Sequence, residues 1–384
     1  MQNTFNVSSK LPNVGTNIFT VMSALAMQHN AINLSQGFPN YDCSPQLQDL
    51  VTEHMKRGAN QYAPMPGLPL LRQRIADKVK MLYDITINSD TEITITAGAT
   101  QALFTAIAAV VRPGDEVIML EPAYDSYRPA IELQGGVPVI YELAVPDYAV
   151  NWYALERLIT PHTKMIIINT PQNPAGRILR AADMMALEWM LEGTDIVVLS
   201  DEVYEHLIFD GELHQSVLRF PNLYARCMAT YSFGKTFHNT GWKVGYCIAP
   251  PALTTEFRKV HQFNVFSVNT PMQAGIADFL ATPQEYLQLP DFYQTKRDYL
   301  LNVMQTSRFK SLKSEGSYFQ LFDYSAISNM PDVAFAKWLT TEHGVAVIPV
   351  SVFYSSLRDD KVIRVCFAKT EETLAAAAAI LCKL

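Results

Sequence analysis

The sequence predicts an α/β protein in which a largely parallel sheet flanked by helices is followed by a smaller lobe. Three observations carry this reading. Short apolar runs alternate with longer helical patterns between Thr91 and Ala249, several of those runs are apolar without interruption, and the rhythm changes after about Gln284. A chain of 384 residues is also too long for one ordinary hydrophobic core, which fits two lobes or one large domain with a satellite.

The strands expected in chain order are EITITA (92–97), EVIML (116–120), MIIIN (165–169), IVVLS (196–200), MATYS (228–232) and VGYCIA (244–249). Their alternation with helical stretches such as QALFTAIAAVV is the mark of an α/β sheet. Met165 to Ile168 and Ile196 to Leu199 need apolar cover on both faces, which a parallel sheet between helix layers provides. In such sheets ligands gather at the carboxyl ends of the strands. Here those ends run into GATQ, EPAYDSY, NTPQNPAG, SDEVY and SFGKT, which together could line one crevice. Beyond Gln284 come a long helix around 290–306, strands at YFQLFDY and VAVIP, and a last helix from Glu371. The expected division is an N-terminal arm (1–35) that packs with the small lobe or crosses to a partner subunit, a large domain (36–283) and a small domain (284–384).

Composition narrows the function classes. With 49% hydrophobic and 17% charged residues the chain has a globular rather than a disordered make-up. Thirty Lys and Arg against 37 Asp and Glu leave a net charge of -7, so there is no positive field for a nucleic acid. The five cysteines (Cys43, Cys227, Cys247, Cys366, Cys382) are scattered and contain no CxxC pair, which argues against a disulfide framework or a zinc site and for a reducing compartment. No run approaches the roughly 20 apolar residues of a membrane span, and the first residues lack an apolar signal core. The expected location is the cytoplasm.

Chemistry concentrates at the strand ends. Lys235 in SFGKTFHNTGWKVGY is followed by Lys243 in an otherwise uncharged, aromatic segment. A lysine beside a second cation or in a dry pocket has a depressed pKa and becomes a nucleophile toward an aldehyde, although two surface lysines are the ordinary alternative. Asp201 ends a buried strand, where an ionised carboxylate implies a positive partner such as a protonated pyridine nitrogen; a helix N-cap for EVYEHL is equally compatible with the local sequence. Tyr204 follows three residues on. Gly98-Ala99-Thr100 sets backbone N–H groups at a helix start that could hold a phosphate, or simply joins a strand to a helix. Asn173 lies in a turn between two prolines, Tyr124 offers a ring to a planar ligand or to the core, and Arg364 in the apolar VIRVCFA demands a carboxylate, internal or on a ligand.

Taken together these segments resemble the fold-type I, class I/II pyridoxal-phosphate aminotransferases. The resemblance runs from SQGFPN (35–40) and QYAPMPGLPLLR (61–72) through AGATQALF, EPAYDSY, NTPQNPAGR, SDEVYEHL and SFGKTFHNTGWKVGY to GVAVIPVSVFY and IRVCFAK. Gly37-Phe38-Pro39, HQFNVFSVNTP (261–271) and Val350 are similar to the branch that holds methionine aminotransferase and the kynurenine (glutamine) aminotransferases. The resemblance implies a large domain with a mostly parallel seven-stranded sheet, one strand more than the six runs above, and a smaller α+β domain.

It further implies pyridoxal 5′-phosphate as cofactor, covalently anchored on Lys235. Asp201 would hold the pyridine nitrogen protonated, and Tyr204 and Asn173 would hydrogen-bond the phenolic oxygen. Ala99, Thr100, Ser232 and Lys243 would bind the phosphate, joined by Tyr62 from the other subunit of a homodimer with shared active sites. Tyr124 would stack on the ring, and Arg364, Asn173 and the Gly37 backbone would hold the substrate α-carboxylate. Phe19, Tyr124 and Phe266 would wall the side-chain pocket, with Phe19 where kynurenine enzymes carry tryptophan. The implied function is ping-pong transamination between an apolar or aromatic L-amino acid, methionine favoured, and a 2-oxo acid. Kynurenine transamination and cysteine-S-conjugate β-elimination are alternatives on the same machinery. An NAD-dependent oxidoreductase is disfavoured by the lack of GxGxxG after a strand, and a pyridoxal-binding regulator by the lack of a basic DNA-binding module.

Overall fold

The computed structural model describes residues 7–384. Seven strands form the central sheet in the spatial order Ile93–Thr96, Gly245–Ile248, Cys227–Ser232, Val197–Asp201, Thr163–Asn169, Glu116–Glu121 and Val137–Glu142. Every neighbouring pair is parallel except those of Gly245–Ile248, which runs antiparallel to both its neighbours. The uninterrupted apolar runs are explained by cover on both sides. Along Thr163–Asn169, Met165 and Ile167 enter one core while Ile166 and Ile168 enter the other, and Val197 and Leu199 alternate with Val198 in the same way. With a side-chain period of 2, both residue sets must be apolar when helices close both faces.

The strand absent from the sequence reading is Val137–Glu142. It is an edge strand, paired only with Glu116–Glu121, and its side chains are half-buried, with Val137 48% exposed. An edge tolerates Pro138, which breaks the apolar pattern there. The VAVIP segment also differs from the expectation of one strand. Val345–Ala346 pairs in parallel with Ile32–Asn33, whereas Ile348–Pro349 joins a four-stranded antiparallel sheet with Val362–Cys366, Phe319–Asp323 and Lys310–Ser311. Ile32–Asn33 and the helix Ile18–Gln28 thereby pack against elements from the C-terminal part of the chain, including the helix Asp332–His343. The expected long helix is Leu289–Val303, and the last helix, Glu371–Leu381, is capped by the Thr370 side chain, which accepts from the Thr373 N–H.

No described helix is long and apolar enough to cross a membrane. The five cysteine thiols are unpaired, and four of them are buried.

Candidate active site

Strand register brings the polar strand ends level. Asn169 lies opposite Asp201, Asp201 opposite Thr230, Ser232 opposite Gly245, and Gly245 opposite Thr96. Because Gly245–Ile248 runs against its neighbours, its leading residue Lys243 arrives at the same edge where the parallel strands end. Gly245 sits where a side chain has no room: a Cβ there would meet the Tyr231 carbonyl oxygen at 2.5 Å and the Ala99 nitrogen at 2.9 Å. Above this edge opens a cavity of about 890 Å³.

At one end of the cavity the helix Ala99–Val110 begins. Gly98 precedes it with φ +78°, and a Cβ on Gly98 would stand 3.3 Å from the Lys243 Nζ. The first N–H groups of a helix have no partner within it. Here they combine with the Lys243 ammonium, Ser232 and Thr100 on the cavity wall to make a cradle for an anion. The Thr100 hydroxyl also lies 3.2 Å from the Tyr124 hydroxyl, which tethers that ring over the cavity.

Asp201 is buried at the end of the central strand of the sheet. Its partners are the Tyr127 hydroxyl, which donates at 2.6 Å, and the Val203 N–H at 3.4 Å, so no cation among the described residues forms an ion pair with it. Burial pushes its carboxyl up to about 6, against the pull of these donors and of Lys235. The alternative of a helix N-cap does not hold: residues 203–206 form a turn, not a helix.

That turn is fastened from behind by two buried carboxylates. Glu202 accepts from the Val217 N–H at 3.0 Å and the Tyr231 hydroxyl at 3.0 Å, and Glu205 accepts from the Tyr83 hydroxyl at 2.9 Å, the Tyr246 hydroxyl at 3.1 Å and the Lys78 ammonium. Tyr204, between them, is left facing the cavity, its ring edge-on to Tyr318 at 5.1 Å. Burial alone favours a protonated Glu205, but Lys78 beside it holds the carboxyl well below the usual carboxylate range. We expect Glu205→Gln to lower unfolding free energy by about 3–5 kcal/mol, since it leaves the Lys78 ammonium buried without its counter-charge. Urea denaturation checks this; a loss below about 1 kcal/mol would show that the pair is not a fastening. Because the folded pKa is depressed, the stabilisation in the wild type is complete above the unfolded carboxylate value and is lost as pH falls below it.

Lys235 occupies the short helix Phe233–Thr236 directly after the strand Cys227–Ser232. Its Nζ donates to the Tyr318 hydroxyl at 2.8 Å and the Gly37 carbonyl at 3.2 Å. Burial pulls the amine down to about 8, and the charges of Arg364 and Lys243 add to the shift while Asp201 opposes it. Arg364 is fully enclosed in the strand Val362–Cys366, with its guanidinium 3.9 Å from the centre of the Phe319 ring and 5.0 Å from that of Phe19. It donates to the Asn173 side-chain oxygen at 2.8 Å and the Ser35 carbonyl at 3.0 Å, while its Nε has no partner. The internal carboxylate expected as one possibility is therefore not its partner; the opening left for one faces the cavity.

Phe19, Gly37, Tyr124, Asn173, Tyr204 and Arg364 thus share the cavity with the anion cradle (Ala99, Thr100, Ser232, Lys243) and with Asp201 and Lys235. Tyr62 and Phe266 do not. They form an edge-on pair at 5.3 Å, away from this chain's cavity, with Tyr62 82% exposed. The reading of the sequence missed Tyr127, Tyr318 and Asn169. Tyr127 stands in EPAYDSY three residues after Tyr124, a visible signal, whereas Tyr318, immediately before the strand Phe319–Asp323, is indistinguishable from core in the apolar YFQLFDY segment.

A model of the family described as "Aminotransferase class I and II" matches residues 29–381. The chain belongs to this family. Methionine aminotransferase of Escherichia coli is similar to this aminotransferase, with 54% identity over 96% of each chain. The kynurenine–oxoglutarate transaminase of Dictyostelium discoideum is 33% identical over 97% of this chain and 95% of its own. A solved Escherichia coli structure described as having a methionine aminotransferase function superposes with a TM-score of 0.97 at 52% identity, over 99% of this chain and 100% of the other. The fold is accordingly the fold-type I α/β architecture of these aminotransferases.

Pyridoxal phosphate fits the donor set of the cavity. The helix start with Lys243 and Ser232 suits a phosphate, the unneutralised Asp201 suits a ring nitrogen that carries a proton, and the Lys235 amine stands among them.

Proposed function

We propose that the protein is a pyridoxal-phosphate aminotransferase that moves the amino group of an apolar or aromatic L-amino acid, methionine first, to a 2-oxo acid by a ping-pong mechanism. The observation that carries the donor class is the inventory of cations. Among the described residues the cavity is lined by Lys235, Lys243 and Arg364 and no further lysine or arginine. Lys243 belongs to the anion cradle and Lys235 to the chemistry, so Arg364 alone remains for one carboxylate. The relatives named for methionine and kynurenine support the same class of donor.

The cofactor, when bound, supplies an electron sink that makes the Cα–H of an attached amino acid acidic. The remaining work falls to the chain. Arg364, aided by Asn173, binds the α-carboxylate and so fixes which bond at Cα faces the sink. Lys235, as a free amine among these groups, would be the base that takes the proton from the substrate Cα and the acid that gives it back. Asp201, held in place by the Tyr127 hydroxyl, would keep a ring nitrogen protonated by staying ionised. Tyr204 and Asn173 offer hydrogen bonds to the ring's phenolic oxygen, and Phe19 and Tyr124 keep water off the reacting face.

The pocket side chain decides between donors. A thioether gains buried area and sulfur–aromatic contact against Phe19 and Tyr124, the latter worth roughly 0.3–1.5 kcal/mol. A second carboxylate there has no cation to meet, which costs several kcal/mol. A donor panel run with one shared oxo acid is expected to rank methionine first in specificity constant, with phenylalanine, tyrosine, leucine, histidine, glutamine and kynurenine behind it and aspartate poor. Aspartate ahead of methionine and phenylalanine would overturn the assignment. Elimination from a β-chloro amino acid, if it outran transamination of methionine, would make the protein a β-lyase instead.

The proposed working unit is a homodimer. Tyr62 and Phe266 would serve the neighbour's phosphate and side-chain pocket; their exposure as an aromatic pair outside this chain's own cavity supports that reading. Sedimentation at assay concentration is expected to give a dimer; a fully active monomer would rule it out. The unpaired thiols fit a reducing cytoplasm.

A further inference from the structure

One charged group on the cavity wall is unused by this mechanism. Asp125 lines the cavity next to Tyr124, on the side of Phe19 and Arg364. Its carboxylate accepts a hydrogen bond from the Asn17 side-chain amide, and Asn17 is itself fixed, because its oxygen caps the helix Ile18–Gln28 by accepting from the Phe19 N–H at 2.7 Å. Asn17 and Phe19 line the same wall, and the Arg364 guanidinium lies 5.0 Å from the Phe19 ring. The sole side-chain partner of Asp125 among the described residues is an amide, so its charge is left to act on whatever enters the cavity. Partial burial raises its carboxyl from the ordinary value, and the field of Arg364 opposes this.

We infer that Asp125 is a specificity-determining residue that repels a second carboxylate, on the amino acceptor as well as on the donor. The proposal rests on the reading of the cavity as an aminotransferase site, and it extends that reading to the second half of the cycle. The pocket does more than lack a cation for the distal carboxylate: its wall carries the Asp125 carboxyl together with Phe19, Tyr124 and Arg364. A ping-pong enzyme uses one pocket for both half-reactions. The preferred oxo acid is therefore monocarboxylic, in contrast to the oxoglutarate in the name of the kynurenine relative, and the reaction that supplies it yields an apolar or aromatic 2-oxo acid rather than a dicarboxylic one. A negative wall also favours donors whose side chains end in N–H groups over purely hydrocarbon ones of equal size.

The test compares the wild-type holoenzyme with Asp125→Asn and Asn17→Ala. Calorimetric titration with glutarate and with 4-methylpentanoate, neither of which has an amino or oxo group to react, reads binding without turnover. Specificity constants for 2-oxoglutarate and 4-methyl-2-oxopentanoate, with one donor held fixed, read the acceptor half-reaction. Asp125→Asn is expected to tighten glutarate by roughly tenfold or more and to raise the 2-oxoglutarate constant similarly, while the monocarboxylates change by less than about twofold. Asp125→Ser, which also removes the charge, is expected to shift both ratios in the same direction. Asn17→Ala keeps the charge and is expected to keep the discrimination. If Asp125→Asn leaves the ratio of glutarate to 4-methylpentanoate affinity within about twofold of wild type, the inference is overturned. It is equally overturned if Asp125→Asn and Asn17→Ala weaken both ligands by the same factor, since the pair would then be only a latch for the helix. Failure of the wild type to transaminate any apolar donor would instead remove the proposed function, and the glutarate titration would still read the charge of Asp125.

Discussion

Lys235→Ala is expected to lower transamination by about 10³-fold or more while the protein stays folded. The substitution removes both the covalent anchor for the cofactor and the amine that moves the Cα proton. It leaves the strand Cys227–Ser232 and the helix start intact, because the Nζ bonds only to the Tyr318 hydroxyl and the Gly37 carbonyl. Circular dichroism checks the fold, and borohydride reduction followed by mass spectrometry checks the anchor. Retention of a reducible lysine adduct together with substantial turnover in the Ala variant would assign the role elsewhere. The wild type adds a pH signature. The amine is pulled down to about 8 by burial, so cofactor capture by the apoprotein should quicken as pH rises and level off above that value.

The second large effect is expected at Asp201. An Asn there keeps the size of the side chain and an oxygen for the Tyr127 hydroxyl, which donates at 2.6 Å, but it carries no charge. Burial raises the Asp201 carboxyl to about 6, a positive group beside it would favour the ionised form further, and the same pairing is what would keep a ring nitrogen protonated. Asp201→Asn should therefore bind cofactor and react about 10²-fold more slowly in the half-reaction with methionine. Stopped-flow absorbance measures the step. A rate within a few-fold of wild type would remove Asp201 from this role.

Much of the site was legible because its residues are chemically improbable where they stand. A lysine pair in an aromatic segment, an aspartate ending an apolar strand and an arginine inside another each cost free energy unless a partner is supplied, and each lines the cavity. Tyr318 was not legible, since a tyrosine in an apolar segment is ordinary core until a partner such as the Lys235 amine is placed beside it. Asp125 was equally silent, because an aspartate in a loop is what any soluble loop contains. The strand Val137–Glu142 escaped for another reason: an edge position needs only half its side chains apolar, so its pattern is weak.

By itself the sequence determined the fold class, because a double-faced apolar strand has no stable setting except a sheet covered on both sides, and it determined which strand ends carry chemistry. Tertiary structure decided which of those ends meet, and in what order across the sheet. It alone turned Gly245–Ile248 against its neighbours, and so delivered Lys243 to the start of the helix Ala99–Val110. It alone split VAVIP between two sheets and set Arg364 within reach of Asn173, 191 residues away in the chain. Local periodicity reports how each segment is buried, whereas strand order and long-range pairing depend on contacts between segments that share no sequence signal.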